Sequence, residues 1–195
     1  ARPLARGEKR RLRFLREAYL FTRALENATP LSGLAAGNRA SITKNELLEN
    51  AAQLVSAIHK QGFFFRDLHA GNILLVPQQD QSQRLYLVDF HKVWHTRWVP
   101  LWMRVRDLAQ LRNSLSASPA DQWRFLMHYS SQSNLPAACL RDVARRVDLK
   151  AKRMWNTHLK SRTRRCLKES TEFSIIADKQ CTLYRQKSYP EGLIQ

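Results

Sequence analysis

The chain has 195 residues, 44% of them hydrophobic, which is enough for one good core and suggests one domain or slightly more. Its 33 basic against 16 acidic residues give a net charge of +17, far beyond what solubility requires, so the composition points to an anionic partner and away from a cationic one. The three cysteines form no Cys-x-x-Cys pair, which argues against a zinc or disulfide framework and for a reducing cytosol, and no apolar stretch approaches the roughly 18 residues of a membrane-spanning helix.

In chain order, the basic alternating run at 11–16 and the apolar run at 18–22 read as two strands, followed by a connecting segment at 23–27. Thr43 with Glu46 forms a capping-box signature. Leu47, Leu48, Ala51, Leu54, Val55 and Ile58 then repeat at helical spacing until Gly62 ends the run. This helix is structural, with His59 expected at its surface or cap. It delivers the chain into the buried run Phe63, Phe64, Phe65.

The most informative stretch follows. Asp67, with Asn72 five residues later, precedes an apolar run at 73–76, and a second apolar run at 85–88 ends in Asp89 and Phe90. The polar turn between the two runs, rich in Gln, Asp and Ser, predicts a hairpin that returns Asp89 beside Asn72. These are the groups phosphoryl transfer needs in one place. Asp67 can accept the proton of an attacking hydroxyl, while Asn72 and Asp89 can supply oxygen ligands to Mg2+ on nucleotide phosphates. A short loop explains the spacing, because Asp67 must face the acceptor on one side of the phosphoryl group and Asn72 the metal on the other.

Trp94, Trp98 and Trp102 recur every fourth residue among Lys92, His95 and Arg97. On a helix the indoles would share one face, either packing on the core or forming an acceptor or membrane-interface surface. Residues 102–116 read as a helix that carries Asp107 among apolar positions. Ser118, Pro119 and Asp121 open another, and a third runs from about 134 to 167. The last contains eleven Lys and Arg between 141 and 168, together with Trp155. These charges suit anionic lipid headgroups or phosphorylated sugars. Nucleic acid is disfavoured because no recognised binding module is present and few aromatics interleave the run. The runs at 173–176 and 182–185 read as a closing hairpin.

The sequence Asp67-Leu-His-Ala-Gly-Asn72, with Asp89-Phe-His-Lys92 after it, resembles the catalytic half of the protein-kinase-like superfamily. His69 stands where eukaryotic protein kinases carry Lys, and His91 where they carry Gly. The first motif is shared with aminoglycoside-kinase-like enzymes and bacterial lipopolysaccharide kinases, and the second is similar to lipopolysaccharide kinases specifically. Further likeness at 106–111, 124–129 and 161–168 extends the resemblance over about residues 2–185. It implies an α+β, protein-kinase-like fold, mainly the helical large lobe, and an ATP- and Mg2+-dependent transfer of phosphate to a sugar hydroxyl of lipopolysaccharide core or a related glycolipid. Asp67 is then the catalytic base, with Arg66 supporting the loop. His69 stands near the transferred phosphoryl group, replacing the charge-stabilising Lys or hydrogen-bonding the loop. Backbone at Arg23, Ala24 and Leu25 holds adenine, with Leu74 and Val88 beneath it, and Asp107 is a buried anchor for the catalytic loop. The rival for Asp107 is a solvated carboxylate paired with Arg104 or Arg106. The implied location is the cytoplasm, peripheral to the inner face of the bacterial inner membrane.

No Gly-x-Gly-x-x-Gly and no Val-Ala-Ile-Lys type strand occurs, and the first residue is Ala. The expectation is therefore a fragment, inactive alone, with residues 1–27 the last two strands and hinge of a small lobe, 28–170 the large lobe, and 171–195 a hairpin and tail. The alternatives are a pseudokinase or basic scaffold that binds nucleic acid or anionic membrane, and a small-molecule phosphotransferase of the aminoglycoside-kinase kind.

Overall fold

A computed structural model describes residues 3–36, 42–78, 80, 82–90, 92–115, 117–177 and 182–188. The architecture is α+β, as the resemblance implies. Two compact units divide the chain, Ala1–Asp148 and Leu149–Gln195.

The first unit begins with an antiparallel hairpin, β1 (Pro3–Arg11) and β2 (Phe14–Thr22). The run at 11–16 is not one strand: Leu12 and Arg13 turn the chain at φ 48° and 69°, the left-handed pair of a two-residue hairpin loop. Residues 23–28 then lead into the short β3 (Thr29–Pro30).

Helix α1 (Lys44–Lys60) starts at the predicted capping box, with Thr43 and Glu46 each bonding the other's backbone. Its apolar face buries Leu48, Ala51, Ala52 and Val55. That face packs on α3 (Pro119–Gln132), where Ser118 caps the helix and Phe125, Leu126 and Tyr129 are buried. The core is completed by Val105, Leu108, Ala109 and Leu111 of α2 (Leu101–Ser114) and by Val143 and Val147 at the start of α4 (Leu140–Cys166).

Three short strand pairings hold the loops against this helical core. Strand β4 (Phe63–Phe65) pairs antiparallel with β7 (Val93–His95), and β5 (Ile73–Pro77) is flanked by β3 and β6 (Gln83–Leu87). The single helix on which Trp94, Trp98 and Trp102 would share one face is not formed. Pairing with Phe63, Phe64 and Phe65 makes residues 93–95 a strand, and α2 begins only after Pro100. The second unit contains the basic end of α4 and the hairpin of β8 (Phe173–Ala177) and β9 (Thr182–Gln186). Both strands were expected, while the turn at 178–181 lies outside the described residues.

Candidate active site

The candidate loop, residues 66–72, is placed from both ends. At its start, Gly62 leaves α1 at φ 84°, where a Cβ would lie 2.0 Å from the Thr96 carbonyl oxygen, so only glycine fits. Strand β4 then runs beside β7, and the Arg66 N–H donates to the Lys92 carbonyl at 3.2 Å. At its end, the turn Ala70–Asn72 feeds β5, and the Val88 N–H donates to the Asn72 carbonyl at 2.9 Å. Ile73 pairs with Leu87, the last residue of β6, so Asp89 stands two residues beyond the strand end and next to Val88, which bonds Asn72. Asp89 has φ 64°, a left-handed conformation that Asp tolerates better than most residues.

Within the loop, the Asn72 side-chain amide donates to the Asp67 carbonyl at 3.2 Å, tying the two together. That bond uses Nδ2, so Oδ1 is the side-chain atom that could take a cation. An amide oxygen and the Asp89 carboxylate are hard donors of the type Mg2+ takes when substrate phosphates supply further ligands. Among the described residues, no group of three or more His, Cys, Asp or Glu could hold a metal by itself. His69 Nδ1 accepts the Gly71 N–H at 3.1 Å. An accepting Nδ1 carries no proton, so the ring is the neutral tautomer with its remaining N–H on Nε2.

Helix α2 presents three polar side chains at helical spacing to the loop. Asp107 Oδ2 accepts the Phe65 N–H at 2.9 Å, Gln110 Nε2 donates to Asp67 Oδ1 at 3.4 Å, and Ser114 Oγ accepts the Ala70 N–H at 2.8 Å. Asp107 is fully buried rather than solvated, and burial pushes its carboxyl above the usual range, against the opposing pull of His59 and Phe65. His59 is buried too, contrary to its expected surface or capping position. Its Nε2 faces Asp107 Oδ2 at 3.2 Å and its Nδ1 faces the Tyr129 hydroxyl at 2.8 Å. When Asp107 is ionised it takes the Nε2–H, and the tautomer with its proton there accepts the Tyr129 hydroxyl at Nδ1. Burial also raises the Tyr129 hydroxyl above its ordinary value.

Lys92 completes the site: its ammonium lies 2.7 Å from Asp67 Oδ2, a partner that sequence spacing did not single out. The remaining expected residues are more dispersed. Arg66 is exposed, with its guanidinium 5.7 Å from the Trp94 ring centre. Leu74 and Val88 are half-buried and share one face of the β5–β6 hairpin by register. Arg23 and Ala24 are exposed and Leu25 half-buried in the irregular segment before β3, which pairs with β5 at Leu74 and Leu75. His91 lies outside the described residues. A separate apolar cavity of about 240 Å³ is lined by Leu108, Leu111 and Leu115 from the other side of α2 and by Phe125 and Leu126, and it contains no residue of the loop.

A family model described as the Lipopolysaccharide kinase (Kdo/WaaP) family matches residues 1–129. Among solved structures, the chain is similar to one described as WaaP in complex with acyl carrier protein, at 25% identity and a TM-score of 0.61, covering 78% of this chain and 68% of that one. No curated protein matches it. The likeness to WaaP gives the fold as protein-kinase-like.

Proposed function

The chain belongs to the lipopolysaccharide kinase (Kdo/WaaP) family, and from that premise we propose that it transfers the γ-phosphate of ATP to a sugar hydroxyl of lipopolysaccharide core or a related glycolipid. The observation that carries this reading is the convergence of Asp67, Asn72 and Asp89 at one end of the β5–β6 hairpin.

In this reading Asp67 orients the acceptor hydroxyl and takes its proton late, since the transition state of phosphoryl transfer is loose and the attacking oxygen needs little prior activation. Asn72 Oδ1 and Asp89 are the residues that would hold Mg2+, which when bound neutralises charge on the phosphates. Lys92 places an ammonium beside the reacting groups, and His69 offers its Nε2–H to a phosphoryl oxygen while its Nδ1 keeps the loop closed. Arg66 adds positive charge at the loop's edge. The backbone at Arg23, Ala24 and Leu25, with Leu74 and Val88, would hold the adenine. Asp107 anchors the loop from behind. No helix among the described residues is long and apolar enough to cross a membrane. We place the enzyme in the cytoplasm, peripheral to the inner membrane where its acceptor lies. The partner of the similar WaaP structure, acyl carrier protein, joins ATP and glycolipid as a proposed partner, testable by co-elution.

The test is transfer of labelled phosphate from ATP to purified lipopolysaccharide-core glycolipid by the full-length polypeptide. Asp67→Asn should abolish transfer while the melting transition stays in place. Transfer retained by that variant would overturn the assignment of the base, and no transfer by the unaltered protein would favour a pseudokinase.

A further inference from the structure

Three indoles between β7 and the first turn of α2 face water. Trp94, Trp98 and Trp102 are 57%, 67% and 62% exposed. Exposed tryptophans in this number mark an interaction surface, since each has a large apolar area to bury. They do not share a helix, but the fold gathers two of them. Trp94 lies directly opposite Phe64 across the β4–β7 pair, and Trp102, in the first turn of α2, has its ring centre 6.4 Å from that of Phe64.

Hydrogen bonds brace the turn that carries them. Thr96 donates its N–H to the Gly62 carbonyl at 2.8 Å and its hydroxyl to the Trp98 carbonyl at 2.9 Å, while Arg104 Nε holds the carbonyl of the fully buried Val99 at 2.9 Å. The turn that carries Trp94 and Trp98 is thus braced, and the indoles stand exposed on it and on the first turn of α2.

The chemistry around them narrows the occupant. From residue 90 to 106 the sequence contains no Asp, Glu, Asn or Gln, and its exposed Lys and Arg residues are Arg97 and Lys92, the latter paired with Asp67. The single hydroxyl of the segment, on Thr96, is committed to the Trp98 carbonyl, so the exposed charge beside the indoles is that of Lys92 and Arg97. Indoles interleaved with cations and free of acids match the headgroup zone of an anionic bilayer, where tryptophan sits at the interface and each cation gains from the surface potential. The face also adjoins the loop: Arg66, the neighbour of Asp67, lies over Trp94, and Lys92 pairs with Asp67.

We propose that Trp94, Trp98 and Trp102, with Arg97, form a docking face for an anionic phospholipid surface, which brings a lipid-anchored acceptor hydroxyl to Asp67 without its leaving the bilayer. The docking face rests on the glycolipid-kinase reading for its purpose but is measurable without it. Trp98 makes no ring contact with another aromatic among the described residues, and neither Trp98 nor Arg97 has a place in the phosphoryl-transfer machinery, so both can be changed together.

The experiment uses the full-length polypeptide and vesicles of phosphatidylcholine with or without about one-third phosphatidylglycerol. Sedimentation should show binding to the anionic vesicles, weakened at least roughly tenfold by Trp98→Ala with Arg97→Glu. That variant should lose rate on glycolipid presented in vesicles and keep the wild-type rate on a deacylated, water-soluble acceptor. Asp67→Asn should bind vesicles like the wild type, so absent kinase activity with intact, Trp98-dependent binding would defeat the kinase reading and leave the docking face standing. Vesicle binding unchanged by the double substitution, or absent from the unaltered protein, would overturn the docking face. So would equal loss of rate on both acceptors, which would mark a sugar subsite or a disturbed fold.

Discussion

Asp107→Ala tests whether α2 holds the candidate loop. One oxygen, Oδ2, accepts both the Phe65 N–H at 2.9 Å and the His59 Nε2–H at 3.2 Å, and all three residues are buried. Alanine leaves two donors sealed from water, each costing about 1–3 kcal/mol. Removing a carboxylate that burial already disfavours returns part of this, so the net loss should be about 2–4 kcal/mol. With a slope of about 2 kcal/mol per molar urea, the unfolding midpoint should fall by roughly 1–2 M. In the folded fraction, transfer should slow by up to roughly 10²-fold as Asp67 loses its register. Asp107→Asn keeps an acceptor for both donors but buries amide hydrogens at the Oδ1 position, which has no partner among the described residues, so its loss should be smaller. The pH dependence separates the wild type from both variants. Because burial holds the Asp107 carboxyl above its ordinary value of 3.8, its ionisation opposes folding. Wild-type stability relative to Asp107→Asn should therefore decline as pH rises from that value through the folded one. A urea midpoint and a transfer rate both unchanged in Asp107→Ala would refute the anchoring role.

Ser114→Ala orphans the buried Ala70 N–H and should cost about 1–3 kcal/mol in denaturant melts, with kcat falling and the KM for ATP steady. Lys92→Ala should lower kcat roughly 10²-fold and Lys92→Arg should restore part of it; an unchanged kcat in the alanine variant would remove Lys92 from the chemistry. Asp121 is held down to about 2 by hydrogen bonds from Lys44 and Ser118, so its contribution is full above the ordinary 3.8 and is lost as pH falls from there toward 2. Asp121→Asn should flatten the acid limb of a stability–pH curve in that window, and an unaltered limb would show the contact to be idle. Gly62→Ala forces a Cβ toward the Thr96 carbonyl at a left-handed φ and should destabilise by well over about 1 kcal/mol, checked by thermal melting.

What the sequence made legible was local. The capping box of α1, the two apolar runs of the β5–β6 hairpin and the Ser118 start of α3 each depend on residues within one turn of each other, and each appears where the spacing puts it. What it concealed depends on partners far along the chain. His59 is paired with a carboxylate 48 residues away and a phenol 70 away, so its surface assignment failed for want of a non-local signal. The four-residue spacing of Trp94, Trp98 and Trp102 looked helical, but pairing with Phe63, Phe64 and Phe65 outweighs a local period. Leu12 and Arg13 turn a hairpin without Gly or Asn, the residues that ordinarily announce such a turn.

The polar stripe of α2 shows why a motif is less than a site. Asp107, Gln110 and Ser114 follow the i, i+3, i+7 spacing of one helix face. That pattern is visible in the sequence, but only the likeness to kinases singled out its first member. The loop needs all three, because a turn as short as Ala70–Asn72 satisfies few of its own backbone groups. Its N–H at Ala70 and that of Phe65 just before it are both bonded to α2, at opposite ends of the stripe, with Gln110 reaching Asp67 between them. The separation of Asp67 from Asn72 and Asp89 is therefore set by a helix about 40 residues downstream as much as by the five-residue spacing of the motif. On this view Asp67, Asn72 and Asp89 define which reaction the loop can perform. Asp107 and Ser114 define how tightly it is held while doing so, and substitutions on α2 should separate rate from nucleotide affinity.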